Sequence, residues 1–418
     1  MPGSLLRVVT AGSVDDGKST LVGRLLHDAK AVLADQLSAV EAASERRGYD
    51  GADLALLVDG LRAEREQGIT IDVAYRYFAT AERTFVLADT PGHVQYTRNT
   101  VTGASTADVA VILVDARNGV LDQTKRHAAV AALLRVEHVV LAVNKMDLVD
   151  YAEPVFDAIV RDFAVAATSL GLATFTPIPV AALAGDNVVD RSTHMSWYAG
   201  PSLLEHLEAF QPDPGVDVPA RFPVQVVVRP RTAEHPDYRG YAGRVEGGPL
   251  RVGDPIVVLP SGRTSSVIGI DTPDGELDEA AAGRSVVVRL ADDVDVARGD
   301  LLAADREPRP AVVRELSATV CWLAERPLRA GDRFALRHAT RDVVAIVDAV
   351  ETRLDITTLQ HNAGDELALN DIGTIRLRTA EPLSVDPYAL NRSTGAFMLV
   401  DEDGGATVAA GMVAAPAQ

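Results

Sequence analysis

Cysteine, lysine, aromatic side chains and long apolar runs are all scarce in this 418-residue sequence. The lone cysteine, Cys321, excludes an internal disulfide and any multi-cysteine metal site, and it favours a reducing, intracellular setting. No stretch reaches the roughly 18 uninterrupted apolar residues that a membrane-spanning helix needs. The amino-terminal residues also lack the apolar core of a secretion signal. We therefore expect a soluble, cytoplasmic protein.

Acidic residues outnumber basic ones, 59 to 40. The only lysines are Lys18, Lys30, Lys125 and Lys145, and the formal net charge at pH 7 is −19. A surface with this charge repels a polyanion at low salt, so we expect no nucleic-acid partner. The hydrophobic fraction of 47% and the charged fraction of 24% are typical of a folded globular protein. The length predicts two or three domains.

The first 210 residues alternate short apolar runs with longer helix-compatible stretches, a pattern typical of a parallel sheet with crossover helices. Charge at Asp72 and Arg76 indicates that the second of these runs is an edge strand. The predicted strands are Leu6–Ala11, Ile71–Phe78, Thr84–Ala88, Val109–Val114, His138–Val143 and Thr176–Val180.

The character of the sequence changes after residue 210. Residues 211–220 contain three prolines and predict a linker, since proline continues neither a helix nor a central strand. Beyond it, short Val, Ile and Leu runs are separated by Gly and Asp, which indicates antiparallel barrels or sandwiches. A second seam near Arg306–Pro310 divides this part into domains at 221–306 and 311–412.

The strongest local pattern is the segment Gly12–Ser19, which fits G-x-x-x-x-G-K-[ST] and lies between an apolar strand and the helix-compatible Leu21–Leu26. Its glycines let backbone N–H groups turn around phosphate oxygens, and the following helix adds its positive dipole end. Lys18 is expected to contact the β- and γ-phosphates of a nucleotide, and the Ser19 hydroxyl to bind Mg²⁺.

A second pattern, Asp89-Thr-Pro-Gly-His93, follows a predicted strand. Asp89 therefore stands at a strand's carboxyl end, where open α/β sheets place ligand groups, and an acid there can hold Mg²⁺, in the simplest case through water. Gly92 leaves its backbone N–H free to approach a γ-phosphate. Asp15 either helps to hold a cation or orders the loop, and the sequence does not decide between the two.

A third pattern, Asn144-Lys-Met-Asp147, ends another predicted strand. The Asp147 carboxylate can accept hydrogen bonds from the N1–H and 2-amino groups of guanine, which adenine does not offer, and the stem of Lys145 can lie along the base. The pattern therefore predicts selection of GTP over ATP. After the next strand, the segment Ala181–Leu183 offers a backbone N–H to the guanine carbonyl oxygen.

These sites follow four strands in the order phosphate, γ-phosphate sensor, base and base, so we predict that they form one pocket. In the segment Arg65–Asp72, Thr70 is placed to offer its hydroxyl to Mg²⁺ while GTP is bound. The polar stretch from Asp28 to Gln67 is then the first mobile switch. The predicted nucleotide-binding residues are Gly12, Ser13, Val14, Asp15, Asp16, Gly17, Lys18, Ser19, Thr20, Asp89, Thr90, Pro91, Gly92, Asn144, Lys145, Met146, Asp147, Ala181, Ala182 and Leu183, and the predicted Mg²⁺ ligands are Ser19, Thr70 and Asp89.

These patterns together resemble the translation-factor class of GTPases, especially through His93 directly after the sensor glycine. Within that class the sequence is most similar to the GTPase subunits of bacterial sulfate adenylyltransferases (ATP sulfurylases), over nearly the whole chain. The segments that carry the likeness are Gly12–Thr20, Gln67–Phe78, Tyr96–Asp108, Val114–Thr124, Arg239–Gly243 and Val258–Gly262. Asp16 and Ser19 replace the His and Thr typical of translation factors, as in the sulfate-activating branch.

The resemblance implies a GTP-binding P-loop domain at residues 1–210 with two antiparallel β-barrel domains after it. It also implies a small catalytic partner subunit that joins ATP and sulfate into adenosine 5′-phosphosulfate and pyrophosphate, a step of sulfate assimilation that GTP hydrolysis here would drive. His93 is the predicted catalytic residue, orienting water. The family usually has Ser at the position of Ala181. Some of its members carry a fused adenylylsulfate kinase domain with a second P-loop, for which we expect no counterpart here.

Two other functions fit parts of the sequence. An elongation-factor-like carrier of charged tRNA needs a basic RNA-facing surface, against which the net charge of −19 argues. A nucleotide-gated scaffold without turnover is disfavoured because Lys18, Thr70, Asp89 and His93 are all present. Release of phosphate from GTP would distinguish a GTPase from such a scaffold.

Overall fold

The computed structural model describes residues 5–31, 38, 40, 44, 54–57, 72–93, 96–172, 174–212, 218–230 and 237–414. The chain forms two compact units, one of residues 1–213 with 355–360 and the other of residues 214–354 with 361–418. In the described part of the chain, no helix is both long and apolar enough to cross a membrane.

The first unit is built on a six-stranded sheet with the order β2-β3-β1-β4-β5-β6. Its strands are β1 Leu5–Gly12, β2 Ala74–Ala79, β3 Thr84–Asp89, β4 Val109–Asp115, β5 His138–Asn144 and β6 Phe175–Pro179. Its helices are α1 Lys18–Asp28, α2 Thr97–Ala104, α3 Asp122–Leu133, α4 Glu153–Ser169 and α5 Leu203–Ala209, with 3₁₀ helices at Leu54–Leu57 and Met146–Val149.

Five of the six strands run parallel, in agreement with the predicted sheet. The central strands β4 and β5 are apolar along nearly their whole length and are buried on both faces, as expected of parallel strands covered by helices. The side chains of Leu21, Val22 and Leu25 on α1 pack into the same core as Leu6 and Val8 of β1. This packing fixes the start of α1 above the end of β1.

Strand β2 lies at the sheet edge, as predicted, but it pairs antiparallel to β3 rather than parallel. The connection between the two strands is a tight turn in which the Thr80 N–H donates to the Arg83 carbonyl at 2.8 Å, and so short a link permits only an antiparallel pair. The strand begins at Ala74; the predicted start, Ile71, lies outside the described residues, and Asp72 and Val73 precede the strand.

The second unit contains two closed antiparallel barrels. Its elements are β7 Arg221–Val228, β8 Gly240–Arg244, β9 Leu250–Arg251, β10 Pro255–Leu259, β11 Arg263–Thr272, β12 Gly275–Leu277, β13 Glu279–Ala280, β14 Ser285–Leu290, β15 Leu301–Ala304, β16 Ala311–Trp322, β17 Leu328–Arg329, β18 Arg333–His338, β19 Arg341–Leu354, β20 His361–Ala363, β21 Glu366–Leu367, β22 Ile372–Val385, the short helix α6 Arg392–Gly395, β23 Ala396–Val400 and β24 Thr407–Val413.

Each barrel closes because one strand pairs on both of its edges. In the first barrel, β10 pairs with β15 and with β11; in the second, β18 pairs with β23 and with β19. Separate apolar clusters fill the two barrels, and the larger core side chains are Phe222 and Tyr241 in the first and Trp322 and Phe334 in the second. The sandwich alternative left open by the sequence is thereby excluded.

The predicted domain limits at 210, 221, 306 and 311 stay predictions. Strand β15 ends at Ala304 and β16 begins at Ala311, so the predicted seam lies between the barrels' strands. Part of the predicted linker, residues 213–217, lies outside the described residues.

Candidate functional site

The phosphate-loop pattern occupies the turn between β1 and α1. Gly17 is the N-cap of α1 and has φ 91°, a left-handed conformation that favours glycine. A Cβ at Gly17 would also lie 2.5 Å from Nδ2 of Asn144, so no side chain fits there. Gly17 has no side chain, so α1 begins without a side-chain cap.

Lys18 lies inside this loop. Its ammonium group donates to the carbonyl oxygens of Gly12 at 3.0 Å and Ser13 at 2.8 Å, and the side chain is buried. Desolvation lowers the pKa of Lys18, while the carboxylates of Asp89 and Asp16 act in the opposite direction. Such an ammonium group is held in place by the loop's own backbone.

Asp16 folds back against the loop. Its Oδ2 accepts the Ser13 N–H at 2.6 Å, and its side chain is buried. Burial raises the pKa of Asp16, which the Ser13 hydrogen bond and the charge of Lys18 partly offset. Val14, at the tip of the loop, is exposed.

Asp89 ends β3 directly beside β1, with Thr10 opposite it in the parallel register. The carboxylate is fully buried and accepts the Thr10 hydroxyl at 2.7 Å and the Ser19 hydroxyl at 3.4 Å. Two of the predicted Mg²⁺ ligands, Ser19 and Asp89, are therefore neighbours. Thr70, the third, lies outside the described residues, as does most of the predicted first switch.

Gly92 lies against the phosphate loop. A Cβ built on it would stand 2.5 Å from Nζ of Lys18 and 2.9 Å from the Gly12 carbonyl oxygen. Thr90 and Pro91 before it are buried, and the Thr90 hydroxyl donates to the Thr10 carbonyl at 2.6 Å. The backbone at residue 92 therefore approaches the loop as closely as only glycine allows.

His93 is half-buried, and its ring lies edge-on to that of Tyr96 with 6.2 Å between the centroids. Within the described residues the ring makes no hydrogen bond. The structure thus places His93 next to Gly92 without fixing its ring to the loop.

The base-recognition patterns are joined by Asn144. Its Nδ2 donates to the Asp16 carbonyl at 2.8 Å, and its Oδ1 accepts the Ala182 N–H at 3.0 Å. The side chain of Asn144 therefore ties the phosphate loop to the segment Ala181–Leu183. Ala181 and Ala182 are buried, whereas Leu183 is exposed.

Lys145 and Asp147 differ in how firmly they are held. Lys145 has φ 62°, donates to the Asp15 carbonyl and lies 2.9 Å from Oδ2 of Asp115. Met146 between them is fully buried. The Asp147 carboxylate is half-buried and makes no hydrogen bond to any described residue, so its acceptor oxygens are open to a ligand.

Asp115, at the end of β4, was missed by the sequence-based prediction. Burial by itself raises the pKa of this carboxyl, but bonds from Arg117 at 2.6 Å and Lys145 at 2.9 Å outweigh burial and hold the pKa below its usual range. It follows an apolar strand just as Asp89 does, and that signal would have found it.

His127 on α3 was also missed. It is fully buried, hydrogen-bonded to the backbone of Gly12, and 3.2 Å from Nε2 of Gln123. Burial, with the charge of Lys18, lowers the pKa of His127 to about 3, so the ring is neutral at pH 7. His127 lies more than a hundred residues from Gly12 in the sequence, so no local sequence pattern predicts this contact.

No group of three or more His, Cys, Asp or Glu side chains among the described residues is arranged to hold a metal ion. The candidate cation position combines one hydroxyl, of Ser19, with one carboxylate, of Asp89. Hard oxygen donors of this kind, completed by water, suit Mg²⁺.

Comparison with known proteins agrees with this geometry. Residues 4–213 match the family described as the elongation factor Tu GTP binding domain, and residues 315–414 match the family described as GTP-eEF1A C-terminal domain-like. The chain thus has the predicted fold class, an α/β P-loop GTPase domain followed by antiparallel β-barrels, and its first unit is a GTP-binding domain.

Named relatives match almost the whole chain. The bifunctional enzyme CysN/CysC of Mycobacterium tuberculosis is 54% identical over 413 residues, which is 98% of this chain and 67% of the relative. Sulfate adenylyltransferase subunit 1 of Cronobacter sakazakii is 51% identical over 99% of this chain and 87% of the relative, and that of Aeromonas hydrophila is 49% identical over 98% and 86%. The chain therefore belongs to the family of sulfate adenylyltransferase subunit 1 proteins.

Proposed function

We propose that this chain is the GTPase subunit of a sulfate adenylyltransferase. It binds GTP with Mg²⁺ and hydrolyses it, and the hydrolysis drives a partner catalytic subunit that forms adenosine 5′-phosphosulfate and pyrophosphate from ATP and sulfate. One observation carries the proposal: at the carboxyl ends of the parallel strands the structure brings together Lys18, Asp89, Gly92 and Asn144. The names of its close relatives supply the reaction.

The phosphates of GTP fit the loop between β1 and α1. The N-terminus of α1, with the positive end of its dipole, and the buried ammonium of Lys18 lie at the position where negative charge must be held. Gly92 borders the same position, and the space that its missing Cβ leaves is next to Nζ of Lys18. A γ-phosphate held there contacts the backbone that leads into His93.

Mg²⁺ fits the hydroxyl of Ser19 and the carboxylate of Asp89, with Thr70 as a proposed third ligand. When bound, Mg²⁺ would neutralise charge on the phosphate oxygens. The chain's own part is to hold the Asp89 carboxylate in place, which the Thr10 hydroxyl does by donating at 2.7 Å to the carboxylate oxygen that Ser19 does not contact.

Guanine fits the third side of the pocket. The open carboxylate of Asp147 can accept from N1–H and the 2-amino group, and Lys145, fixed by Asp115, lies between the phosphate loop and the base position. Asn144 holds the segment Ala181–Leu183 against this position through the Ala182 N–H.

Replacing His93 by alanine should leave GTP affinity nearly unchanged and lower the rate of hydrolysis at least tenfold, which is about 1.4 kcal/mol in the activation barrier. The reason is that His93 follows the glycine that borders Lys18, while its ring supports neither the phosphate loop nor the base segment. Single-turnover hydrolysis at saturating GTP measures the effect.

His361→Ala is the matched control, because this histidine is exposed on β20 of the second unit. It should hydrolyse GTP at the wild-type rate. An unchanged rate in the His93 variant would show that His93 takes no part in GTP hydrolysis.

The partner subunit should respond to the nucleotide state of this chain. Alone, the chain should form no adenylylsulfate. Mixed with the small catalytic subunit, it should raise adenylylsulfate formation only when GTP is present. In the same mixture, the partner with ATP should raise the rate of GTP hydrolysis by this chain. A partner achieves this by preferring the GTP-bound arrangement, since differential affinity shifts a switch and is reciprocal. Both products are followed in one reconstituted mixture.

GDP in place of GTP, and the Lys18→Ala chain in place of the wild type, are the controls for that mixture. Equal yields of adenylylsulfate with GTP and with GDP would contradict coupling, even if GTP hydrolysis itself were observed.

A further inference from the structure

Arg24 connects the phosphate-loop helix to the segment Ala181–Leu183. It lies on α1, and its guanidinium donates to two consecutive carbonyls, from Nε to Ala182 at 3.2 Å and from Nη2 to Leu183. The residues concerned are more than 150 positions apart in sequence, so the contact exists only in the folded domain. A planar guanidinium can hold two acceptors in a fixed relation, which a single point charge does not.

The guanidinium is held in turn by its surroundings. Nη1 lies 3.5 Å from Oδ1 of Asp28, one helical turn away, and the Arg24 side chain is 22% exposed. On the other side lies Gly185, with φ 93°; a Cβ at that position would be 3.6 Å from Cδ of Arg24. Arg24 therefore has one well-defined position against the turn.

The carbonyls of the segment are all engaged. That of Ala181 accepts the Gly185 N–H at 2.7 Å, while those of Ala182 and Leu183 accept from Arg24. The side chain of Ala181 is a methyl group and adds no hydrogen bond of its own. The orientation of the two later peptides is therefore set by Arg24.

The N–H groups are engaged except one. That of Ala181 donates to the Asp186 carbonyl at 3.1 Å, and that of Ala182 donates to Oδ1 of Asn144 at 3.0 Å. The Leu183 N–H has no partner among the described residues. Because a trans peptide is planar, this N–H points opposite to the Ala182 carbonyl that Arg24 holds.

We infer that Arg24 is a positioning residue for base recognition: by holding the Ala182 and Leu183 carbonyls, it directs the Leu183 N–H towards the carbonyl oxygen at C6 of guanine. This inference rests on the proposed GTP pocket and deepens it. Arg24 acts through the backbone and does not touch the nucleotide. Arg24 thereby links helix α1, which follows the phosphate loop, to the segment Ala181–Leu183.

The test compares two nucleotides on the 418-residue chain: GTP, and 2-aminopurine riboside triphosphate, which lacks both the oxygen at C6 and the proton at N1. The loss of the N1–H contact to Asp147 is common to the wild type and the Arg24 variants, so the change in relative affinity on substitution reports the contact to the C6 oxygen. Arg24→Met should weaken GTP binding about tenfold, the size of a lost hydrogen bond with its supporting charge, and should weaken binding of the analogue much less. The preference for GTP over the analogue therefore falls. Hydrolysis at saturating GTP should stay near the wild-type rate, so KM changes and kcat does not.

Arg24→Lys keeps the charge and the aliphatic stem but not the planar fork, so it should give an intermediate preference, and it carries the same comparison if the methionine variant does not fold. Arg161→Met, at an exposed position of α4, is the matched control and should change neither affinity.

Equal loss of affinity for the two nucleotides in the Arg24 variants would overturn the positioning role and leave Arg24 a structural residue. Unchanged affinity for both would also overturn it. A wild-type chain that bound GTP and the analogue equally would instead overturn the guanine pocket itself, and the role of Arg24 with it.

Discussion

Asp147→Asn should convert the chain from a GTP-preferring to a xanthosine-triphosphate-preferring protein. The carboxylate accepts hydrogen bonds from N1–H and the 2-amino group of guanine in the proposed pocket. An amide can instead donate to the 2-oxo group of xanthine, which a carboxylate repels. Since a hydrogen bond to a charged group contributes at least about 1.5 kcal/mol, loss of two should weaken GTP binding about a hundredfold.

The surroundings of the Asp147 carboxylate allow the effect of the substitution to be assigned to the nucleotide. Asp147 has no hydrogen bond to any described residue, so the substitution removes no internal support from the loop. Competition binding of GTP against xanthosine triphosphate measures the effect. If the variant still preferred GTP tenfold over xanthosine triphosphate, the base would have to bind away from Asp147.

Asp150→Asn is the matched control. Asp150 is exposed, lies three residues further along, and has φ 54°, which asparagine tolerates well. It should keep the wild-type preference for GTP.

Arg221→Ala should destabilise the second unit by about 3–5 kcal/mol, because it leaves a buried carboxylate without its counter-charge. Arg221 and Asp386 are both fully buried and form a two-pronged pair, Nε to Oδ2 at 3.0 Å and Nη2 to Oδ1 at 3.1 Å. Arg221 also donates to the Pro308 carbonyl at 2.6 Å, and Asp386 accepts the Thr394 hydroxyl at 2.6 Å. The pair joins β7 of the first barrel to the loop after β22 of the second.

Urea unfolding measures this loss, with Trp322 as the reporter. Trp322 is buried in the second barrel, and Trp197 is the only other tryptophan of the chain. A Trp197→Phe background therefore reports on the second unit alone. The midpoint for Arg221→Ala should fall well below that of the background protein.

Two further variants separate the buried charge from other causes. Arg251→Ala breaks an exposed pair with Glu279, 2.6 Å apart, and should have little effect, because water already solvates both partners. The double change Arg221→Met with Asp386→Leu removes both charges and should recover much of the loss. A double variant as unstable as the single one would show that packing, not charge, holds this position.

Much of the first unit was predictable because its chemistry is local in sequence. The central strands are short apolar runs, and each functional pattern follows one of them, so the parallel sheet brings Gly12, Asp89, Asn144 and Ala181 to a common edge. The direction of β2 was not predictable from its own residues, since the alternation of exposed and buried side chains is the same in either direction. The short turn before β3 decided it.

The sequence alone predicted which segments meet at the carboxyl ends of the strands, their order along the chain, and the antiparallel character of the second half. Each depends on residue types at fixed short spacing, such as the glycines and Lys18 of the phosphate loop. Closure of the two barrels was decided by tertiary structure, because β10 and β18 must each pair on both edges with strands that no local pattern selects.

Tertiary structure also decided which side chains hold the site together. His127 reaches Gly12, Asn144 reaches Asp16 and Ala182, and Arg24 reaches the carbonyls of residues 182 and 183, all across separations of more than 35 residues. Each partner is a backbone group, which every residue possesses. A sequence pattern therefore carries no sign of these bonds, and only the packing of the helices on the sheet selects the backbone group that each side chain meets.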